Sequence, residues 1–135
     1  HADDLMPPES RLLALDAPVV IDHFARIGVD ATLMGSLQKV LFRLLRSGRV
    51  WIKLSAAYIA AASENSPMLA TAVQQWSAQF PERLVWGTDW PHVTEDVKPN
   101  DVELMNQLTD WFSEEALQRI LVDNPAHLYG FDALP

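Results

Sequence analysis

The chain has 135 residues, of which 49% are hydrophobic and 21% are charged. These values are typical of one globular domain and exclude a disordered or fibrous chain. The chain has 18 acidic residues against 10 basic ones and a net charge of −8, so it lacks the basic face of a nucleic-acid-binding protein.

Two further absences in the sequence restrict the class of protein. No apolar run approaches the roughly 18 residues that a membrane span requires, so we expect no membrane-spanning segment. Cysteine does not occur, which excludes disulfides, thiolate metal sites and a cysteine nucleophile. A chain without cysteine fits a cytoplasmic location, which is our expectation.

Three strands are predicted in chain order, and each turns from apolar to polar residues at its C-terminal end. The first begins within residues 17–23, the second covers residues 50–55, and the third covers residues 84–89. Their apolar parts do not alternate with polar residues, as is typical of strands that are covered on both faces.

Amphipathic helices are predicted between and after these strands. Ser36 is a candidate N-cap for a helix that stops at Gly48, and residues 66–67 start a helix that ends at Pro81. Two more helices follow the third strand, and Asn100 and Ser113 are their candidate N-caps. Asn124 and Pro125 are expected to break the second of these helices.

Strands that alternate with helices predict right-handed crossovers and a parallel sheet. The fold class is therefore α/β, and nothing in the sequence divides residues 1–135 into two domains.

Ionisable and polar side chains follow each predicted strand, and parallel strands place such residues at one end of the sheet. His23 is a candidate metal ligand, general base or hydrogen-bond donor, and the alternative is a loop histidine without a special role. Asp89 follows the third strand and is a candidate base or metal ligand. The alternative is that its side chain forms an Asx turn or caps a helix. His92 either points into the site or faces solvent.

Three other residues near the strand ends have two interpretations each. Lys53 binds a substrate carboxylate or forms a structural ion pair with Asp22, and the sequence favours the ion pair. Arg26 holds an anionic substrate or is an ordinary surface arginine. Trp90 differs from the other four tryptophans of the chain, which we expect in the core, because it lies beside the candidate site.

Four blocks of the sequence carry a family resemblance: VVIDHFAR, RVWIKLSAAY, RLVWGTDWPH and ILVDNPAHLYGF. In this order and spacing they resemble the C-terminal half of the amidohydrolase-related TIM-barrel hydrolases, also called amidohydrolase 2. The branch that they resemble includes 2-pyrone-4,6-dicarboxylate lactonase and the sugar lactonases. The resemblance implies that the chain forms the C-terminal portion of a (β/α)8 barrel, about strands six to eight with their helices.

The resemblance also implies roles for individual residues. His23 and Asp89 match the residues that end the sixth and eighth barrel strands, and they are the expected catalytic pair. The same two side chains are the expected ligands if the protein uses a divalent metal, Zn²⁺ or Mn²⁺, although metal-independent relatives also exist. Substrate contacts are expected from five residues, which are Arg26, Ser55, Tyr58, Trp90 and His92.

Two departures from the family pattern are visible in the sequence. The chain has no H-x-H pair, which the family carries on its first strand, so we expect the N-terminal half of the barrel to be missing from this sequence. We expect the fragment alone to be inactive, and either a complementing N-terminal half or a homo-oligomer is the expected macromolecular partner. In addition, Ile59 follows Tyr58, where lactonase relatives often have an arginine. A dicarboxylate substrate is therefore less expected than a neutral lactone, unless another residue such as Arg26 binds the anion.

Three functions remain open from the sequence. The first is a hydrolase that opens a lactone or a similar cyclic ester, a small molecule, with an activated water. The second is a metal-dependent, non-oxidative decarboxylase of the same family. The third is a half-barrel without catalytic activity, which predicts that His23 and Asp89 lie more than about 12 Å apart.

Overall fold

The computed structural model describes residues 9–27, 34–60 and 67–131. Three strands occur in this part of the chain: β1 (Val19–Ile21), β2 (Val50–Leu54) and β3 (Leu84–Trp86). The α-helices described there are α1 (Glu9–Ala14), α2 (Met34–Arg46), α3 (Ala57–Ala60), α4 (Pro67–Gln79), α5 (Asp101–Trp111), α6 (Glu114–Gln118) and α7 (Asn124–Tyr129). No helix among these residues is both long enough and apolar enough to cross a membrane.

The three strands form one parallel sheet in the order β1-β2-β3, which confirms the predicted α/β fold. In the register of the sheet, Ile21 of β1 pairs with Ile52, and Leu54 of β2 pairs with Trp86. The central strand β2 is buried at every position except Lys53, because it has a neighbouring strand on each side.

The core lies between the sheet and the helices α2, α4 and α5. The predicted apolar stripe of α2 is confirmed, and its members Leu37, Val40, Leu41, Leu44 and Leu45 are all buried. The predicted face of α4 is buried through Leu69, Val73 and Trp76. The predicted N-cap Ser36 is wrong, because α2 begins two residues earlier, at Met34, and Ser36 lies inside its first turn. Ser66, the other predicted start, lies outside the described residues.

Side-chain caps begin α5 and α6 as predicted. The Asn100 side chain accepts a hydrogen bond from the Val102 N–H, and the Ser113 side chain accepts one from the Ala116 N–H. Each cap satisfies a backbone donor that the helix itself leaves free.

The predicted helix break at Asn124 and Pro125 is wrong. Helix α6 continues through a π-helical turn, Arg119–Asp123, directly into α7. Proline fits because it is one of the first residues of α7, next to the wider turn, and the chain finally stops at Gly130 with φ of 71°. Asn124 is buried and donates hydrogen bonds to the carbonyls of Pro81 and Leu84, which holds α7 against β3.

Candidate functional site

A cluster of polar side chains lies at the C-terminal end of the sheet. His23 follows β1, Ser55 follows β2, and Asp89 follows β3 after Gly87 and Thr88. Because the strands are parallel, these three loops leave the sheet at the same edge, as the sequence predicted.

The side chains of this cluster are in contact or close to it. His23 Nδ1 lies 3.1 Å from Ser55 Oγ and 3.8 Å from Asp89 Oδ1. The His23 and Asp89 side chains are 23% and 27% exposed, so a small molecule can reach both, whereas Ser55 is buried. The separation expected for a half-barrel without catalytic activity, more than about 12 Å, is therefore wrong.

The backbone around the cluster adopts a conformation that is unusual for residues other than glycine. All four residues from His23 to Arg26 have φ between 50° and 55°, which forms a left-handed turn directly after β1. Asp89 has φ of 73° and His92 has φ of 54°. Each such residue costs on the order of 1–3 kcal/mol, and residues of this kind concentrate at functional sites.

Tyr58 joins the cluster from the short helix α3. Its hydroxyl oxygen lies 3.1 Å from Asp89 Oδ2 and 2.8 Å from His92 Nδ1. Burial, followed by the contact with the Asp89 carboxylate, raises the pKa of Tyr58 well above its ordinary value. The hydroxyl therefore keeps its proton at neutral pH and acts as a hydrogen-bond donor.

His92 lies behind Tyr58 and is only 2% exposed. Its Nε2 is 2.9 Å from Asp101 Oδ1, and its ring packs against the edge of the Tyr58 ring at 5.8 Å between centroids. The sequence analysis did not select Asp101. The signal was the Asn100 cap, which makes Asp101 the first residue of α5 and places it beside the loop of His92.

The remaining predicted residues lie at the rim of the cluster. Lys53 Nζ is 2.8 Å from Asp22 Oδ1, which confirms the structural ion pair. Arg26 is exposed, and Trp90 is 75% exposed. In the part of the chain that the structure describes, neither of these two side chains makes a hydrogen bond to the cluster.

The donor groups of the described residues do not by themselves complete a metal site. The described residues contain no group of three or more histidine, cysteine, aspartate or glutamate side chains that could hold a metal ion. His23 and Asp89 supply two donors, while protein sites for Zn²⁺ use three or four.

A separate cavity of about 210 Å³ lies at the opposite, N-terminal end of the strands, where Trp51, Arg83 and His127 are part of its lining. The Arg83 guanidinium lies over the Trp51 ring at 4.9 Å from its centroid. The polar cluster at the C-terminal end is thus not part of this cavity.

Comparison with known proteins gives two relatives that are named as hydrolases. The chain is 43% identical over 131 residues to 4-sulfomuconolactone hydrolase of Hydrogenophaga intermedia, which covers 89% of this chain and 41% of that protein. It is 28% identical over 128 residues to 2-pyrone-4,6-dicarboxylate hydrolase of Comamonas testosteroni, covering 86% of this chain and 42% of the relative. These matches confirm the predicted lactonase-like branch.

The fold comparison agrees with the sequence comparison. A crystal structure from Agrobacterium tumefaciens matches with a TM-score of 0.86 and 27% identity, over 98% of this chain and 49% of that one. The chain thus spans between two fifths and one half of the length of the relatives it matches. The fold of the described residues is that of one half of a TIM barrel.

The model of the amidohydrolase family matches residues 11–131, a range that includes all three strands and the whole polar cluster. With the parallel sheet, the strand-end cluster and the relatives in agreement, the chain belongs to the amidohydrolase family.

Proposed function

We propose that the protein is a hydrolase that opens a lactone or a similar cyclic ester by means of an activated water. The observation that carries this proposal is the Asp89 carboxylate at the sheet edge, with His23 Nδ1 at 3.8 Å and the Tyr58 hydroxyl at 3.1 Å. Relatives named as lactone hydrolases support the same reaction class.

The reaction assigns one proton acceptor and one polarising group. Asp89 accepts a proton from water, and the water oxygen attacks the carbonyl carbon while an electron pair moves to the carbonyl oxygen. His23 donates a hydrogen bond to that oxygen and stabilises its charge. The carbonyl then re-forms, the ring C–O bond breaks, and the proton on Asp89 passes to the leaving oxygen to give a hydroxy acid.

The side chains around the reacting pair favour a neutral lactone as substrate. Ile59 follows Tyr58 in the chain and supplies no cation, and the net charge of −8 does not attract anions. Arg26 is exposed in the turn that carries His23, and it is the guanidinium that we assign to an acidic substituent if the substrate has one. Tyr58 and Trp90 are the other proposed substrate contacts, whereas the buried Ser55 contacts His23 instead.

Metal dependence is a separate part of the proposal and has its own test. His23 and Asp89 are the side chains that would contribute to a divalent metal site, but two donors do not complete one. The reaction steps above use only residues of this chain. Assays with and without a chelator, followed by addition of Zn²⁺ or Mn²⁺, decide whether the full-length protein needs a metal.

We further propose a cytoplasmic location, which the absence of cysteine supports. For the macromolecular partner we propose a complementing N-terminal half, or else a second copy of the chain. Size-exclusion chromatography of a mixture with the N-terminal half tests this part.

The substitution Asp89→Asn in the full-length protein tests the proposed function. Removing the base is expected to lower kcat for lactone opening by about 10²-fold or more. Asp96→Asn is the matched control because Asp96 is exposed in the same loop and should leave kcat unchanged.

Product analysis of the same reactions separates the two enzymatic alternatives. Ring opening with uptake of water supports the proposal, and release of carbon dioxide supports the decarboxylase. An Asp89→Asn variant that opens the lactone as fast as the wild-type protein would refute the assigned mechanism.

A further inference from the structure

The cavity at the N-terminal end of the sheet lies between the three segments that lead into the strands. Residues 16–18 precede β1, residues 48–49 precede β2, and Arg83 precedes β3. Helix α7 contributes His127 and Leu128 to the lining. The volume of about 210 Å³ is several times the roughly 30 Å³ that one water takes in the liquid, and it exceeds the about 150 Å³ of a protein cavity that binds benzene. The space therefore admits a small organic molecule.

Two guanidinium groups line this cavity, and neither has a carboxylate partner among the described residues. Arg83 lies over the Trp51 ring at 4.9 Å from its centroid, and within the described ranges its N–H groups have no hydrogen-bond acceptor. Arg49 donates one hydrogen bond, to the Leu13 carbonyl oxygen, although a guanidinium has five N–H donors. Asp16 also lines the cavity but forms an ion pair with neither arginine in this part of the structure. The lining therefore offers free N–H donors and two positive charges against one negative charge.

An aromatic wall holds the Arg83 guanidinium and gives the cavity an apolar side. Trp51 is 3% exposed, and the His127 ring lies 6.0 Å from the Trp51 ring, measured between centroids. Gly48 is next to the guanidinium, because a Cβ at that position would lie 3.5 Å from Arg83 Nη2. The apolar part of the lining also includes Ala17, Pro18 and Leu128. A guanidinium that is already restrained loses less conformational freedom when it binds an anion.

We propose that this cavity is a second binding site, which takes a small organic carboxylate. The carboxyl group contacts Arg49 and Arg83, and the apolar part of the ligand lies against Trp51. Arginine suits a carboxylate because its planar fork donates two parallel N–H···O bonds. An inorganic ion would fill only part of the volume and leave the apolar wall uncovered. Because the cavity and the Asp89 cluster are at opposite ends of the strands, binding here does not depend on the proposed reaction.

Benzoate and its uncharged analogue benzamide are the probes for the first test. The barrel-length protein is labelled with ¹⁵N-tryptophan, and the indole N–H signal of Trp51 is the one that Trp51→Phe removes. Benzoate should shift this signal saturably at millimolar concentrations. Benzamide has nearly the same shape but no charge, so its Kd should be about tenfold higher. No saturable shift with benzoate, or equal Kd values for the two probes, would overturn the proposal.

The second test removes the positive charges one at a time. Arg49→Gln and Arg83→Gln should each raise the Kd for benzoate by about tenfold and change the Kd for benzamide by less than about twofold. Arg119→Gln is the matched control, because Arg119 is exposed, pairs with Glu115 and is outside the cavity. Unchanged benzoate binding in Arg49→Gln and Arg83→Gln would overturn the assignment. Circular dichroism verifies that each variant is folded, and if Arg83→Gln is not, the exposed Arg49 decides the outcome alone.

The Trp90 indole signal separates this cavity from the candidate active site. Trp90 is 75% exposed and follows Asp89, at the opposite end of the strands. Benzoate that shifts the Trp90 signal but not that of Trp51 would have bound at the polar cluster, which would overturn the second site. The titration measures no hydrolysis. A protein that opens no lactone would therefore refute the proposed function and leave the result for this cavity intact.

Discussion

Tyr58 is a residue of the polar cluster that the strand pattern of the sequence does not reveal. His23, Ser55 and Asp89 could be predicted because each follows a strand of the parallel sheet. Tyr58 lies in a run of alanines that has neither strand nor amphipathic character, and only the family resemblance selected it. Its contacts with Asp89 and His92 depend on how α3 packs, which local sequence does not determine.

At this scale the raised pKa of Tyr58 predicts a pH dependence of stability. The folded protein holds the phenol proton at a pH where the unfolded chain has lost it. Above pH 10.0, the ordinary pKa of tyrosine, the folded state therefore binds more protons than the unfolded state. The stabilisation is fully present below that pH and is lost as the pH rises further. Urea unfolding at a series of pH values should show this decrease in the wild-type protein.

The comparison variants assign the effect to one side chain. Tyr58→Phe should show a smaller decrease in unfolding free energy at alkaline pH, because the titrating group is absent. Tyr129→Phe changes the other tyrosine of the chain, which is exposed, and should keep the decrease. An identical alkaline decrease in wild type and Tyr58→Phe would contradict the prediction.

The left-handed turn predicts a stability difference at Arg26. Its φ of 50° is unfavourable for a residue with a Cβ, and the side chain is exposed. Arg26→Gly should therefore have an unfolding free energy about 1 kcal/mol higher than Arg26→Ala in urea denaturation. Both variants remove the guanidinium, so a common rise in KM would support its proposed contact with an acidic substrate. Equal stabilities of the two variants would argue against strain in this turn.

At the scale of the elements, the buried stripes and the caps at Asn100 and Ser113 were predictable, whereas the start of α2 and the lengths of the strands were not. Strands predicted over residues 84–89 and 17–23 end at Trp86 and Ile21, since their polar ends leave the sheet to form the site. The interrupted helix around Asn124 was mispredicted because proline is a breaker in a regular α-helix, whereas here it follows a π-helical turn.

Removal of the Asn124 side-chain amide is expected to have a large effect on the free energy of unfolding. It is buried and donates to two carbonyls, those of Pro81 and Leu84. Asn124→Ala leaves both carbonyls without this donor, so the unfolding free energy should fall by about 2–3 kcal/mol in urea denaturation. Asn106→Ala, at an exposed position of α5, should change it by less than about 0.5 kcal/mol. Similar small effects for both variants would show that α7 is held by packing alone.

At the scale of the whole molecule, the order of strands and helices predicted the parallel sheet, and four sequence blocks predicted the family. In the described sheet β2 has two neighbouring strands, while β1 and β3 have one each. A closed barrel gives every strand two neighbours, which excludes water from the core and supplies the remaining loops around the site.

This difference predicts where activity is found. Residues 1–135 alone are expected to show no lactone hydrolysis, whereas a barrel-length protein that contains them should be active. Initial rates at matched protein concentration test the prediction, with circular dichroism to verify that the shorter chain is folded. A comparable kcat for the shorter chain would show that its own residues suffice.

The register of the sheet has a practical consequence for refolding experiments. Ser55 reaches His23 only when Ile21 pairs with Ile52, and a shift of one residue would displace it by about 3.3 Å and turn it to the opposite face. A misaligned molecule would retain its helices and its circular dichroism spectrum but lose the cluster. In a refolded barrel-length protein, the rate of the proposed lactone opening, compared with the helical signal, would therefore report the yield of correctly aligned molecules.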